Sequence, residues 1–535
     1  MNAPQEIGIV GAGPVGLSCA LRLAGFGIGS TLLEAEAALV PQGSKACTIQ
    51  GDVVEVLDKM ECGEQIAREG ITWHIARTYV RGKEIAKTVY PRPLGFGPFI
   101  NISQYRIEQI LLDRLASSPQ ARVCWSHRVV GLSQDGDSVR VQVTTPDGPR
   151  ELRFAYLVAC DGIRSDIRQL SGVEWTGYTH SNRFLITDIK ARLPLAHERH
   201  FHYDPPFNPG RQLVMHAQPD DVWRIDWQLP PDADIGEERR TGALHSRIRE
   251  VIGDVPYEVK WLSTYHFYQR VVARMREGRV FFAGDAAHAL PPFGARGMSS
   301  GIQDADNIAW KLALVVKGLA DPGLLDTYQP ERHAAARENL RVTEQTMHFM
   351  VPPTRLRQWV RKTLLWLSRR WSGATGYVNS GRMAEPCVYT DSPIIEPHAG
   401  QPLVGRFGPD APVILAGNAT RIRRLFGRDF VLLFFGDSSE LSAARAAAAC
   451  KDLPVRAVAV CAVDPAERPH DVTVVGDPGS AAHTSYGVSG PSWYLVRPDG
   501  YVAAAGAAGD LGDLPQVLRR CVPGLRSHSQ AAEEQ

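Results

Sequence analysis

The feature that most restricts the fold lies near the start of the chain. The apolar run Ile7-Gly8-Ile9-Val10 leads directly into Gly11-Ala12-Gly13-Pro14-Val15-Gly16. In such a turn the first glycine permits a tight bend, the second lets backbone approach a pyrophosphate, and the third lets the following helix pack close to the strand. Free N–H groups and a partial positive charge at the helix start suit phosphate. Glu34 closes the next apolar run about 20 residues on, where a carboxylate can hold a ribose diol. Strand, helix and acid in register predict a dinucleotide-binding βαβ unit rather than a tight turn without a ligand. Gly25, Gly27 and Gly29 repeat the spacing but sit where the helix ends, and read as a C-cap and loop. The fingerprint has no second copy. Either one nucleotide is held, or a second visits without a fold of its own.

Residues 280–311 read VFFAGDAAHALPPFGARGMSSGIQDADNIAWK. An apolar strand ends at Gly284-Asp285, a short turn carries His288, and Pro291-Pro292 kinks the chain. Small residues then open a helix at about Ser299. This brings an acidic side chain and a row of backbone N–H groups to one place, as a polar, electron-accepting cofactor requires. His288 reads as a structural residue fixing the turn after Asp285.

The length of 535 residues allows two or three domains. A net charge of +1 gives no overall field for nucleic acid or acidic membranes. Nine cysteines are scattered without a CxxC pair or metal-ligand spacing, which suits reduced thiols in the cytoplasm and predicts no metal. No signal peptide is expected, and no apolar run reaches the roughly 18 residues of a membrane span. Residues 103–118 carry a helical apolar stripe, Ile107, Ile110, Leu111 and Leu115. Residues 129–143 read as a hairpin around an Asp-Gly turn, and 156–160 as an apolar run ending at Asp161-Gly162. From about 178 to 275 the pattern is β-rich, with RQLVMHAQPDDVWRIDWQLP forming two strands around a Pro-Asp-Asp turn. Residues 324–372 are mostly helical and end in a basic run that reads as a solvated face, with a partner or membrane surface as the alternative. From about 394 the texture changes to buried strands (DFVLLFFGD, VRAVAVCAV), a hairpin (WYLVRPDGYVAA) and Ala-rich helical segments between them.

Three motifs then occur in the order shared by the flavin-dependent aromatic hydroxylases of the para-hydroxybenzoate hydroxylase type: the N-terminal fingerprint with Glu34, Asp161-Gly162-Ile163-Arg164-Ser165-Asp166-Ile167-Arg168, and Gly284-Asp285-Ala286-Ala287-His288 with its proline pair. The chain resembles that family over most of its length. Its last segment, with Tyr494-Leu495-Val496-Arg497-Pro498-Asp499-Gly500, resembles the thioredoxin-like tail of the phenol hydroxylase and meta-hydroxyphenylpropionate hydroxylase branch, and reads as structural or dimer-supporting. The resemblance implies an α/β fold with a Rossmann-like FAD-binding domain of the glutathione-reductase type (1–177 and 276–335), an inserted β-rich substrate domain (178–275), a helical connector (336–393) and a thioredoxin-like domain lacking CxxC (394–530). It implies non-covalent FAD contacts at Gly11, Gly13, Pro14, Val15, Gly16, Glu34, Lys45, Gln104, Val130, Asp161, Gly162, Asp285, Pro292, Gly297, Met298 and Ser299, with NAD(P)H as a transient co-substrate. Where many members read Gly-Gly-Gln-Gly-Met-Asn, this chain reads Gly294-Ala295-Arg296-Gly297-Met298-Ser299. The charge of Arg296 could favour reduced, anionic flavin, or the side chain could point to solvent.

The implied chemistry is reduction of FAD by NAD(P)H, addition of O2 to give a flavin C4a-hydroperoxide, and transfer of electrophilic oxygen to a phenolic ring. The protein then needs a dry pocket and a group that helps deprotonate the phenol. On VWRIDWQLP, period-2 alternation puts Arg224, Asp226 and Gln228 on one face and Trp223, Ile225 and Trp227 on the other. The polar face looks either toward flavin and substrate or into water. His202, Tyr203 and Tyr265 are further candidates, although a lone His or Tyr is more often a satisfied structural residue. Competing expectations are the same chemistry on a polycyclic natural product or antibiotic, a flavin halogenase, for which Trp223 and Trp227 have the wrong spacing, and a non-enzymatic flavin-binding protein. A homodimer is a further expectation.

Overall fold

The computed structural model describes residues 6–41, 46–230, 232–352, 354–378, 383, 385–396, 401–436, 453–462, 472–527 and 530. Lys45 and the Ala-rich segment between the C-terminal strands lie outside these. The fold is mixed α/β with several sheets.

The first sheet explains why distant motifs meet. Its strand order is Arg276–Glu277, Val280–Phe282, Tyr156–Ala159, Ile7–Val10, Ser30–Leu33 and Ala121–Cys124. All but the first are parallel. Parallel strands bury both faces and so read as continuous apolar runs, and the four from Ser30–Leu33 to Val280–Phe282 are wholly buried. Because they share a direction, Gly11, Glu34, Asp161 and Asp285 all emerge at one edge, the carboxyl end where open α/β sheets bind ligands. The helices Pro14–Gly25 and Gly297–Val316 cover this sheet close together: a Cβ on Gly301 would lie 2.6 Å from Val15 Cγ2 and 3.0 Å from Gly284 Cα.

A small antiparallel sheet (Arg128–Gln134, Val139–Thr145, Gly148–Phe154) contains the expected hairpin. The large sheet has eight strands in the order His288–Ala289, Glu258–Val272, Trp175–Lys190, Val222–Gln228, Gln212–Gln218, Arg199–Tyr203, Ile75–Val80 and Lys83–Val89. Its last two strands come from a stretch assigned in the sequence to the cofactor unit. Their period-2 signal is weak, and they join the sheet only through Ile75–Val80, which pairs with residues more than a hundred positions away. One face of this sheet is covered by the helices Ile235–Thr241 and Ala243–Ile252, on which Trp223, Ile225 and Trp227 pack with Leu185, Leu213 and Ile248.

Two helices, Tyr328–Met350 and Arg355–Ser368, then run across the molecule. The C-terminal sheet has seven strands, of which Phe430–Phe435, Val455–Cys461 and Thr473–Gly476 are parallel. It docks on the Gly297–Val316 helix, where Trp310 meets Phe430 edge-on at 5.6 Å. Among the described residues no helix is long and apolar enough to cross a membrane.

Candidate active site

The N-terminal turn has the shape its sequence demands. Gly11 sits at φ +100°, and a Cβ there would lie 2.5 Å from the Cys160 carbonyl oxygen. The Pro14–Gly25 helix starts without a side-chain cap, so its first N–H groups are left for a ligand. The Glu34 carboxylate accepts from Ala12 N (2.7 Å) and Glu36 N (3.0 Å), which holds it at the mouth of the turn. Asp161 accepts from Ile167 N at 3.0 Å through Oδ2, and its Oδ1 is enclosed without a partner. Burial pushes the Asp161 carboxyl up from its ordinary value. Arg168, at the end of the same motif, donates to the carbonyls of Ala286 (2.9 Å) and Ile163 (3.0 Å), and so ties the second motif to the third.

The Gly284–Ala286 turn is held from below. Asp304 accepts from His288 Nε2 (2.6 Å), Gly284 N (3.0 Å) and Arg332 Nε (2.6 Å), all of them buried. His288 and Arg332 hold its carboxyl below the usual range despite burial. Arg332 continues to the Tyr389 hydroxyl at 2.9 Å. Asp285 takes no part in this network, and no described group hydrogen-bonds its carboxylate. Asp304 and Arg332 were not singled out in the sequence, although two acids inside an otherwise apolar helix (Asp304, Asp306) were a usable signal.

The Gly297–Val316 helix also starts without a side-chain cap. Gly297, Met298 and Ser299 present its first N–H groups, and Ser299 Oγ is enclosed without a partner. Gln50 Nε2 donates to the Gly294 carbonyl at 3.1 Å, and Ala295 is held at φ +55°. The expectation that Arg296 points to solvent is corrected: it is only 4 % exposed. Its guanidinium donates to Asn339 Oδ1 (2.6 Å) and the Met383 carbonyl (3.0 Å). A buried guanidinium needs acceptors, and the neighbouring helix and loop supply them.

The polar face of the eight-stranded sheet is turned inward, not into water. Cross-strand pairing puts Arg199, His216, Arg224 and Asp188 in one row and Val214, Asp226, Ile186 and Ser263 in the next. Arg224 is buried and makes two 2.7 Å bonds to Asp188. Asp226 has Oδ1 enclosed without a partner, and burial pushes its carboxyl up to about 7 against the pull of Arg224. Burial, with Asp226 adding to it, pushes the Tyr265 hydroxyl up as well. The loop before Gly294 packs onto this face: Phe293 lies 5.1 Å from Phe267 and 6.1 Å from Phe184, whose partner across the sheet is Tyr265. From the other side Trp73 approaches His216 (6.4 Å), and Asn101 Nδ2 donates to the Ala217 carbonyl.

Tyr203 shares the inner face but lies further out, packed against Phe201 and Phe349, where burial raises its hydroxyl well above the ordinary value. His202 is one residue away and therefore faces the other side of the sheet. It stacks on Tyr79 at 4.5 Å, and burial pushes it down to about 4. The structure does not bring it together with the Arg224–Asp226 pair.

Several positions fit an FAD. An added Cβ on Gly13, Gly162 or Gly297 would meet no atom within 4 Å, so those turns are open where a ligand would approach. Two uncapped helix starts, the enclosed oxygens of Asp161 and Ser299, and the unbonded Asp285 carboxylate line the same edge. Gln104 begins the Gln104–Ala116 helix and donates to Glu108 at 2.8 Å. Val130 is exposed on the small sheet. Pro292 is exposed in the loop between His288 and Gly297, and Lys45 lies outside the described residues. Among the described residues no cluster of metal-ligating side chains occurs.

Comparison with known proteins agrees with this geometry. A family model described as an FAD binding domain matches residues 5–343, and one described as the C-terminal domain of aromatic-ring hydroxylases matches residues 401–523. The 3-(3-hydroxy-phenyl)propionate/3-hydroxycinnamic acid hydroxylase of Klebsiella pneumoniae subsp. pneumoniae is 30% identical, covering 95% of this chain and 93% of that protein. The 12-dehydrotetracycline 5-monooxygenase/anhydrotetracycline 6-monooxygenase of Streptomyces rimosus subsp. rimosus is 32% identical, covering 93% and 94%. The crystal structure of aklavinone-11 hydroxylase with FAD and aklavinone matches with a TM-score of 0.78 at 26% identity, covering 98% of this chain and 100% of that one.

Proposed function

From the premise that the chain belongs to the FAD-dependent aromatic hydroxylases, we propose that the inner face of its eight-stranded sheet binds a phenolic ring and that Asp226 accepts the phenol proton. The protein is a flavoprotein monooxygenase that uses FAD and NAD(P)H on an aromatic substrate. When bound, FAD supplies the redox chemistry that turns O2 into an electrophilic oxygen. The residues of this chain hold the cofactor, orient the ring and move one proton.

Gly11, Gly13, Pro14, Val15 and Gly16 cradle the pyrophosphate against the uncapped helix start, and Glu34 takes the ribose hydroxyls. Asp161 and Asp285 hold the sugar and ribityl portions, with Gly162, Gln104, Val130 and Pro292 beside them. The N–H groups of Gly297, Met298 and Ser299 would donate to the flavin and stabilise negative charge on it, as a helix start favours anions.

The observation that carries the reading is Asp226: a carboxylate held near pH 7, with one oxygen unbonded, on the face covered by the loop that opens the Gly297–Val316 helix. A general base works best with a pKa near the operating pH. Arg224, fixed by Asp188, stabilises the carboxylate once it ionises, and Tyr265 borders the same space. The aromatic lining of Trp73, Phe184, Phe267 and Phe293 excludes water and stacks on a flat substrate. A polycyclic substrate remains the second reading, because relatives at 32% and 26% identity are a tetracycline monooxygenase and an aklavinone hydroxylase.

We further propose that residues 1–177 and 276–335 form a Rossmann-like unit of the glutathione-reductase type. Residues 178–275 then form the substrate unit, with the strands of 75–89 added, 336–393 a connector, and 394–530 a thioredoxin-like unit. Three parallel strands continued by the antiparallel Ser492–Val496 and Val502–Ala507 support the last assignment. Apart from Cys461, the described cysteines are free thiols, which suits a reducing compartment. A homodimer is part of the same reading.

The test is direct. Purified protein should be yellow with FAD released on denaturation. A panel of phenols should accelerate NAD(P)H oxidation and yield a product one oxygen heavier. Acceleration without an oxygenated product, for every ring tested, would refute the substrate-face assignment.

A further inference from the structure

The helix Arg355–Ser368 has two apolar faces, and only one is covered. Inward, Leu365 joins the cluster of Tyr203, Phe201, Phe293 and Met350 at the outer end of the substrate sheet, and Arg361 donates to the Met350 carbonyl. On the opposite side Leu356 (71 % exposed), Trp359 (65 %), Val360 and Trp366 stand in the open at helical spacing. Trp371 (62 %) extends the stripe past the helix end. Single exposed apolar residues are ordinary, but a contiguous stripe carrying three tryptophans marks an interaction surface.

The charge around the stripe identifies what it fits. Arg355, Arg357, Lys362, Arg369 and Arg370 border it and form no ion pair among the described residues. The Arg370 guanidinium lies over the Trp366 ring at 4.1 Å. Between Glu344 and Glu385 the sequence has no acidic residue, although the whole chain carries a net charge of only +1. The positive charge of this segment is therefore not offset by acids of its own.

We propose that this helix docks the protein on an anionic lipid bilayer, lying in the interface without crossing it. Its 14 residues fall short of the roughly 20 needed to span. Tryptophan rings, apolar with one N–H donor, settle at headgroup depth, and arginine and lysine stems lie along apolar surface while their charges reach lipid phosphates. A second copy of the chain would bring the same unpaired cations face to face, so charge opposes self-association through this stripe. The inner side of the helix closes the chamber assigned to the substrate. On that reading, docking sets the bilayer about one helix diameter, ~10 Å, from the place where an apolar ring is bound.

The experiment uses the FAD-loaded full chain and co-sedimentation with vesicles. Phosphatidylcholine vesicles containing one third phosphatidylglycerol should pull the protein down, and pure phosphatidylcholine should not. Raising salt from about 0.1 M to about 1 M shortens the screening length from ~10 to ~3 Å and should release it. Replacing Arg355, Lys362 and Arg369 with Gln should weaken binding about 100-fold, at the usual contribution of a basic residue near an anionic surface. Trp359→Ser, Trp366→Ser and Trp371→Ser together should do at least as much. Both variants should retain FAD and turnover of a water-soluble phenol, which separates this proposal from the assigned chemistry. The proposal is overturned if the wild-type protein ignores anionic vesicles, if both variants bind as the wild type does, or if the tryptophan variant instead turns a dimer into a monomer.

Discussion

Two enclosed carboxylates in this molecule behave in opposite ways. Asp304, beneath the Gly284–Ala286 turn, accepts from an imidazole, a backbone N–H and a guanidinium, and stays ionised below the usual range. Asp226, on the inner face of the eight-stranded sheet, has an enclosed oxygen with no donor and is pushed up to about 7. Burial penalises both charges. Only the first is given partners enough to offset that penalty. A satisfied buried charge fixes geometry, whereas one left short of partners near neutrality is placed to exchange a proton. The same contrast extends outward. Beside Asp304 a second network joins Glu331, Lys311, Arg497 and Asp499 to the C-terminal domain, with each acid paired and Arg497 5.4 Å from the Tyr389 ring. Around Asp226 stand Tyr265 and aromatic rings.

Removing Asp304 should have the largest effect. Asp304→Ala leaves Arg332 and His288 buried without their acceptor, a loss of about 3–5 kcal/mol for a broken buried pair. Thermal unfolding should show it, together with reduced FAD content. A melting point equal to the wild type would deny the network its structural role.

Asp226→Asn should do the reverse. Turnover is expected to fall by about 10²-fold or more, the usual contribution of a general base, with FAD retained and the melting point unchanged or raised. Parallel losses of stability and activity would make Asp226 merely structural.

Asp226 titrates at about 7 in the fold and near 4 when unfolded. Between those values the native state keeps a proton that the unfolded chain has lost, so this group's contribution to stability declines as pH rises from about 4 to 7. Turnover should rise over the upper part of that window as the carboxylate forms. Asp226→Asn should flatten both profiles, as measured by unfolding and by single-turnover rates at each pH.

Smaller effects bound the site. Glu34→Gln should weaken FAD binding about 10-fold, the equivalent of one charge-assisted hydrogen bond, as read by titrating apoprotein. His202→Gln, on the far side of the sheet, should change turnover by less than about 2-fold. A large loss there would put the wrong face of the sheet in the site.

Local patterns made much of this legible. The glycines of residues 11–16, with Glu34 after a second strand, announce their turn because only small residues permit the close approaches seen at Gly11 and Gly16. The alternation of Val222–Gln228 separates its tryptophans from Arg224 and Asp226 because side chains on a strand alternate strictly. That rule also means His202 and Tyr203 cannot share a face. The partners of those residues were not legible. Asp188 meets Arg224 only through cross-strand register, and Asp304 meets His288 only because a helix crosses a turn. Arg296 looked as able to face water as the flavin, and only the positions of Asn339 and Met383 draw it inward.

Taken alone, the order of residues determined the Gly-rich turn, the membership of the flavin hydroxylases and the two-faced character of the Val222–Gln228 strand. Each depends on neighbours a few positions apart, whose geometry the backbone period sets. Tertiary structure decided which polar face is dry, which carboxylate is left short of donors, and which face of the basic helix stays uncovered. Those outcomes depend on contacts between segments up to hundreds of residues apart. Burial there is set by what happens to pack against a side chain, which no local pattern records.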